Sequence, residues 1–181
     1  AVLQAANRAT DLVRQILTFS RSESPQRAAL RLRRVVSEAV NMMRSTLPAI
    51  IEIKSECEAA TPMVLADATQ VHQVLMNLGI NAAQAIGSRA GCVRVRVGRC
   101  DVAAEIPGAN PAVPAGAYAC IEVTDDGCGM SRATLSRIFE PFFTTKPVGQ
   151  GTGLGLAVVH GIVKQHQGGI AVESELGKGT T

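Results

Sequence analysis

Over residues 1–20, apolar and small side chains return every three or four positions. Leu3, Ala6, Thr10, Val13 and Leu17 line one stripe, and Leu12, Ile16 and Phe19 add a second beside it. The stretch holds no Gly or Pro, so the spacing predicts a helix that is apolar across a wide arc. Such a helix needs neighbours, and membership of a helical bundle, through pairing with a second copy, supplies them. The polar run Ser20-Arg21-Ser22-Glu23-Ser24-Pro25 then separates it from the rest of the chain.

Downstream, the period switches repeatedly between two and 3.6. Residues 29–32 read as a short strand and 34–47 as a helix, followed by strands over 50–57 and 63–66. A long helix is predicted over 67–86, with Asp67 as its N-cap. Alternation over 92–100 and 118–124 gives two strands joined by a Pro-, Ala- and Gly-rich excursion over 103–116. A short helix over 131–138, a Gly-rich loop to Gly151, a helix over 153–167 and a strand over 169–174 complete the order. This order predicts an α+β fold: a two-layer α/β sandwich, its mixed sheet covered by helices on one face, preceded by one bundle helix.

Composition narrows the class further. At 181 residues, 46% apolar and 18% charged, the chain has room for one ordinary domain and a short appendage. A net charge of +3 is too weak and dispersed for a nucleic-acid groove, so no nucleic-acid partner is expected. The apolar runs fall short of the roughly 18 to 20 residues of a membrane span, and the N-terminus lacks a basic region leading into an apolar one. No direct membrane contact and a cytoplasmic location are the expectations. The five cysteines contain no CxxC pair and read as reduced and structural. Glycine is uneven: 11 of 17 lie within 127–179, so close backbone approach or mobile loops are concentrated in the C-terminal third.

Three groups of residues carry candidate chemistry. On the helix over 67–86, Gln70, Gln73, Asn77, Asn81 and Gln84 fall within an arc of roughly 80°. All five are neutral amides, where a solvated face would use Lys and Glu and a buried one Leu. Amide oxygens can ligate Mg²⁺, which takes few protein groups and fills its octahedron with water and substrate phosphates. Asn81 is the expected metal ligand, whereas Gln70 and Gln73 suit a hydrogen-bonding seam to the sheet. The second group is Asp125-Asp126-Gly127-Cys128-Gly129-Met130, at the end of a strand. Asp125 can accept from an exocyclic amine such as adenine N6, and Gly127 and Gly129 let a planar ring approach the backbone. Alone, this DDGxG run is also a common turn or calcium-loop fragment.

The third group runs from Phe139-Glu140-Pro141-Phe142-Phe143-Thr144-Thr145-Lys146 to Gly151-Thr152-Gly153-Leu154-Gly155-Leu156. Aromatic anchors leading into a flexible loop that ends at a helix N-terminus describe a lid over an anion, with Lys146 able to reach a terminal phosphate. Two look-alikes fail. Gly151 to Gly155 is GxGxG after a loop, unlike a dinucleotide fingerprint. Gly177-Lys178-Gly179-Thr180 lacks the spacing and the following Ser or Thr of a P-loop.

Taken in order, NLGINA, DDGCGM, FEPFFTTK, GTGLGL and GKGT resemble the N, G1, F, G2 and final GT boxes of the histidine-kinase branch of the Bergerat (GHKL) ATPases, over about residues 67 to 181. AANRATDLVRQILTFSR is similar to the second helix of the dimerisation and phosphotransfer hairpin, as in the hybrid and nitrogen-regulator-like subgroups. The resemblance implies a Bergerat ATP-binding domain over 25–181, with 1–24 the hairpin's second helix and linker. It also implies ATP and Mg²⁺ as cofactors. Asn81 would be the metal ligand, with Asn77 and Gln84 as neighbouring contacts. Asp125 would take the adenine amine, Gly127, Gly129 and Met130 would shape the base pocket, and Thr180 would close it. Phe142, Phe143 and Lys146 would belong to the lid, and Thr152, Gly153, Leu154, Gly155 and Leu156 would cradle the triphosphate.

One departure stands out: many relatives carry Lys and an aromatic where this chain has Gln84-Ala85, which leaves Lys146 with more of the phosphate charge. The implied reaction is transfer of the γ-phosphoryl group to a histidine and then to an aspartate of a response-regulator receiver domain, within a homodimer formed through the N-terminal helix. The parent protein is compatible with a membrane anchor elsewhere. The family's acceptor histidine is followed by Glu or Asp. His72, His160 and His166 are not, and read as surface or helix-cap residues, so the acceptor is expected upstream of Ala1. A nucleotide-binding module without kinase activity, and a chaperone- or topoisomerase-type ATPase, are the competing readings.

Overall fold

The computed structural model describes residues 26–103, 109–147 and 151–181. The predicted helix over 1–20 and its pairing lie outside the described residues. The elements in chain order are β1 (Ala28–Leu30), α1 (Leu32–Thr46), β2 (Ile51–Cys57), β3 (Val64–Ala66), α2 (Ala68–Ile86), β4 (Gly91–Val102), β5 (Gly116–Asp125), α3 (Arg132–Leu135), α4 (Gly155–Gln165), β6 (Ser174–Glu175) and β7 (Gly179–Thr180).

Five strands form a mixed sheet in the order β2-β4-β5-β7-β6, with β2 and β4 parallel and the other neighbours antiparallel. β1 and β3 make a separate antiparallel pair. Alternation decides which face is covered. Val93, Val95 and Val97 of β4 are fully buried, with Ala119, Ile121 and Val123 of β5 packed on the same core. Their sequence neighbours Arg94 and Arg96 are exposed on the other face, where Arg96 lies near Glu56, Glu58 and Glu122. The two-layer α+β sandwich read from the sequence is therefore the fold.

Helix α1 sets Val36, Ala39, Val40 and Met43 on that core, and α2 adds Val71, Leu75, Ala82, Ala83 and Ile86. The two helices touch closely at Gly79, where an added Cβ would lie 2.9 Å from Met43 Sδ. A second cluster of Val74, Val159 and Ile162 glues α2 to α4. Asp67 caps α2 as predicted: Oδ1 accepts from the backbone N–H groups of Thr69 (2.9 Å) and Gln70 (3.2 Å).

Four local expectations change. Only the end of the segment 169–174 joins the sheet: Ile170 makes a single bridge to Asn110, Glu173 and Thr181 exchange backbone hydrogen bonds, and Ser174 opens the β6–β7 hairpin that builds the sheet edge. Gln167, with φ 58°, ends α4, and Gly168-Gly169 follow before the chain can extend. Helix α4 starts at Gly155 and not at Gly153, because Gly153 has φ 67°, outside the right-handed helical region. The helix over 131–138 contracts to α3 and then tightens into turns, with Arg137 N–H on Thr134 O and Glu140 N–H on Arg137 O. The β4–β5 ladder runs on to Val102 and Gly116, shortening the excursion between them. All five cysteines are free thiols, Cys120 and Cys128 exposed. Among the described residues no helix is long and apolar enough to cross a membrane.

Candidate nucleotide-binding site

Three members of the amide stripe of α2, Gln70, Asn77 and Asn81, meet α4. A Cβ added to Gly155 would sit 3.6 Å from Asn81 Nδ2 and 3.9 Å from Asn77 Oδ1, so both amides lie under the first turn of α4. That turn has no side-chain cap, which leaves its first backbone N–H groups without a capping partner. At the other end of the stripe, Gln70 Nε2 reaches Gln165 Oε1 at 3.5 Å. The seam expected between Gln70 and the sheet is therefore a contact with α4, because α2 and α4 pack antiparallel and bring these ends together. Thr152 Oγ1 lies 3.4 Å from Leu154 N, and the Leu154 side chain is buried, so this residue can offer only its backbone. Leu156 is half-buried in the first turn.

Asp125 ends β5 opposite Thr180 of β7. Its Oδ1 accepts from Gly127 N–H at 2.8 Å. Burial pushes the Asp125 carboxyl above its ordinary range; hydrogen bonds from Gly127 and Thr180 backbone pull the other way, and the neighbouring Asp126 charge adds to the rise. Gly127 is buried against α2, where an added Cβ would come within 2.6 Å of Ala85 Cβ, and Cys128 N–H bonds Ala85 O at 3.0 Å. Gly129, with φ 65°, has the Glu175 carbonyl where a Cβ would go.

Ser174 ties this loop to the hairpin. Its Oγ accepts from Met130 N–H at 2.9 Å, donates toward Gly179 O at 3.0 Å and lies 2.8 Å from Thr180 Oγ1. Asp126 holds the other side: its Oδ1 accepts from Cys92 N–H at 3.1 Å and pairs with Arg89 at 3.6 Å. The sequence pattern pointed to neither Ser174 nor a role for Asp126. Neither has a local signal, since their partners sit 44 and 34 positions away.

The aromatic segment is anchored differently from the expectation. Phe139 stacks on His160, ring centroids 5.0 Å apart and 28° between planes. The Arg137 guanidinium lies 4.4 Å above the Phe143 ring and pairs with Glu140. Phe142 is not an anchor: the residue is 68% exposed and its φ is 67°. What fixes Phe142 is backbone, because its N–H bonds Gly153 O at 2.9 Å and a Cβ on Gly153 would lie 2.6 Å from Phe142 O. Lys146 Nζ donates to Gln84 Oε1, closing the segment onto the last amide of the stripe. Burial pulls the Lys146 ammonium below its ordinary pKa, with the Cys128 thiol opposing.

The histidines also depart from the simple reading. His166 is the C-cap of α4, as a helix-cap residue would be, yet its Nε2 accepts from Asp67 N–H at 3.0 Å. His160 is half-buried, and its Nε2 is buried without a partner among the described residues.

The described contacts thus bring Gly127 and Cys128 against Ala85 of α2, Asn77 and Asn81 beneath the start of α4, and Lys146 onto Gln84. Among the described residues no cluster of three His, Cys, Asp or Glu could hold a metal by itself.

Residues 66–181 match the family described as histidine kinase-, DNA gyrase B-, and HSP90-like ATPase. The chain belongs to this ATPase family. It is 40% identical over 186 residues to the sensor kinase CckA of Brucella abortus, covering 99% of this chain and 19% of that protein. To the sensor histidine kinase ZraS of Escherichia coli K12 it is 37% identical over 175 residues, covering 83% of this chain and 34% of the relative. Full-length ShkA, solved in complex with AMPPNP, is 27% identical with a TM-score of 0.74, covering 94% of this chain and 34% of that one. The chain spans between 19% and 34% of the length of these proteins.

The matched ATPase segment starts just before α2, so it contains the amide stripe, the Asp125 loop, α4 and the closing hairpin. Helix α1 and strand β2 lie before it and complete its core.

Proposed function

We propose that this chain is the ATP-binding catalytic part of a two-component sensor histidine kinase. It transfers the ATP γ-phosphoryl group to a histidine located outside this span, and thence to a response-regulator aspartate. The observation that carries the reading is the placement of Asn77 and Asn81 beneath the uncapped start of α4.

In this reading Asp125 accepts the adenine N6 amine and thereby selects against guanine, which presents an oxygen there. Gly127, Gly129 and Met130 line the base, and Thr180, fixed to Ser174, closes the pocket. The backbone of Thr152, Gly153, Leu154, Gly155 and Leu156 holds the phosphates, Lys146 meets them from the opposite side beside Gln84, and Phe142 and Phe143 flank that entry. Asn81, with Asn77 beside it, would hold Mg²⁺, which supplies neutralisation of the charge developing on the phosphates. The bond between the γ-phosphorus and the β,γ-bridging oxygen breaks as the bond to an imidazole nitrogen forms, and ADP leaves. Backbone dipoles at the start of α4 favour the charge on the departing oxygens.

His166 is committed through both ring nitrogens, and none of His72, His160 and His166 is followed by Glu or Asp, which supports an acceptor elsewhere. Residues 1–24 are read as the second helix of the dimerisation and phosphotransfer hairpin and its linker, and 25–181 as the catalytic domain. The homodimer forms through that helix, and the partner is a receiver domain. The location is cytoplasmic, and the parent protein is compatible with a membrane anchor.

Incubating the chain with γ-labelled ATP and a separately made acceptor hairpin tests the proposal. Label on the hairpin histidine is the expected result. ATP binding without transfer would replace the kinase with a nucleotide-binding regulatory module.

A further inference from the structure

Gln84 is the last member of the amide stripe and lies exposed on α2, yet its Oε1 accepts from Lys146 Nζ, 62 residues along the chain. The lysine is held at several points. Its N–H donates to Thr144 Oγ1 at 3.2 Å, and its Cβ and Cδ would stand 3.4 and 3.1 Å from a Cβ added to Gly151. Among the described residues no carboxylate lies within salt-bridge distance of Lys146. The lysine is half-buried, and the side-chain acceptor that its ammonium meets is a neutral amide.

We propose that Gln84 is a positioning residue that holds the Lys146 ammonium ready for a nucleotide phosphate without neutralising it. The inference rests on the nucleotide reading of the site and deepens it. The chemistry of the acceptor decides the argument. A glutamate at this position would make the same hydrogen bond but cancel the charge and repel phosphate, and a lysine would repel Lys146 itself. A glutamine fixes the direction of the ammonium and leaves its charge for the incoming anion. Lys146 is also partly desolvated, so a phosphate meets a cation already stripped of some of its water. Gln84 would thus act through Lys146, and it need not touch the nucleotide.

The test is a double-mutant cycle on the full chain, titrated calorimetrically with Mg·ATP. Gln84 is exposed and alanine is the stronger helix former, so the variants fold, which thermal unfolding checks. Gln84→Ala is expected to weaken binding about three- to ten-fold, the scale of one hydrogen bond to a charged group at a partly wet site. Lys146→Met weakens it further, and adding Gln84→Ala to Lys146→Met changes nothing more. Gln84→Glu, which keeps the hydrogen bond and cancels the charge, also weakens binding. Unchanged affinity in Gln84→Ala, an equal loss in both backgrounds, or unchanged affinity in Gln84→Glu would overturn the inference. Absence of ATP binding by the unaltered chain would instead remove the nucleotide reading beneath it, so the first titration tells the two failures apart.

Discussion

The backbone N–H of Asp67 donates to Nε2 of His166 at 3.0 Å, across 99 residues of sequence. His166 Nδ1 lies 2.8 Å from Ile162 O, so the proton sits on Nδ1 and the ring is the neutral tautomer that accepts at Nε2. The Asp67 carboxylate meanwhile caps α2 through Oδ1 and accepts from Gln26 N–H at Oδ2, 2.9 Å away. One residue thus joins the start of α2, the end of α4 and the incoming chain.

Replacing that carboxylate has a measurable cost. Asp67→Ala removes the cap and the Gln26 contact but keeps the backbone donor to His166, and it should destabilise the fold by about 1 to 2 kcal/mol. Urea unfolding of the two proteins checks this, and equal midpoints would show that the cap contributes nothing.

Asp125 gives a pH signature. Its carboxyl is raised by burial, and the ionised form is the one that accepts from an amine. ATP affinity should therefore fall as pH drops through a value above the ordinary aspartate range, and Asp125→Asn should weaken binding and flatten that profile. The effect on stability has the opposite sense. The folded state binds this proton more tightly than the unfolded chain, so the group's contribution to stability decreases as pH rises from the ordinary aspartate pKa through the raised one. Asp125→Asn should lose that decrease, and denaturation at acidic and neutral pH compares the two proteins.

Gly155 leaves room above two amides. A Cβ alone would stand at ordinary contact distance from Asn81 and Asn77, and its backbone is not left-handed, so Gly155→Ala is tolerated. Gly155→Leu extends into the space over Asn77 and Asn81 and should reduce ATP affinity more than ten-fold, on the order of 1.4 kcal/mol or greater. Thermal unfolding should show little loss. Wild-type ATP affinity in the folded Gly155→Leu variant would place the phosphates elsewhere.

Much of the architecture is legible in the sequence because it follows from local periodicity. The cap at Asp67, the amphipathic α1 and α2, and the buried alternation of Val93, Val95 and Val97 each need only neighbours within a few residues. The first part of the segment 169–174 misleads because alternation reports a half-buried strand whether or not a ladder partner exists: Ile170 finds a single bridge, and pairing with the C-terminal hairpin begins only at Glu173. Phe142 misleads because an aromatic in an aromatic cluster looks like an anchor, whereas its left-handed backbone turns the ring outward.

By itself the sequence determined the order of elements from the first short strand to α4, the mixed sandwich, the all-amide stripe and the boxes that mark the ATPase family, but not the closing β6–β7 hairpin. The tertiary structure alone decided which polar groups meet: Lys146 with Gln84, Met130 with Ser174, Asp67 with His166, and Asp125 in register with Thr180. The reason is physical. Secondary structure is selected by short-range backbone sterics and by burial of one face. A side-chain hydrogen bond between distant segments depends on where the packed core places their backbones, and many polar residues in the chain are chemically equivalent candidates for it.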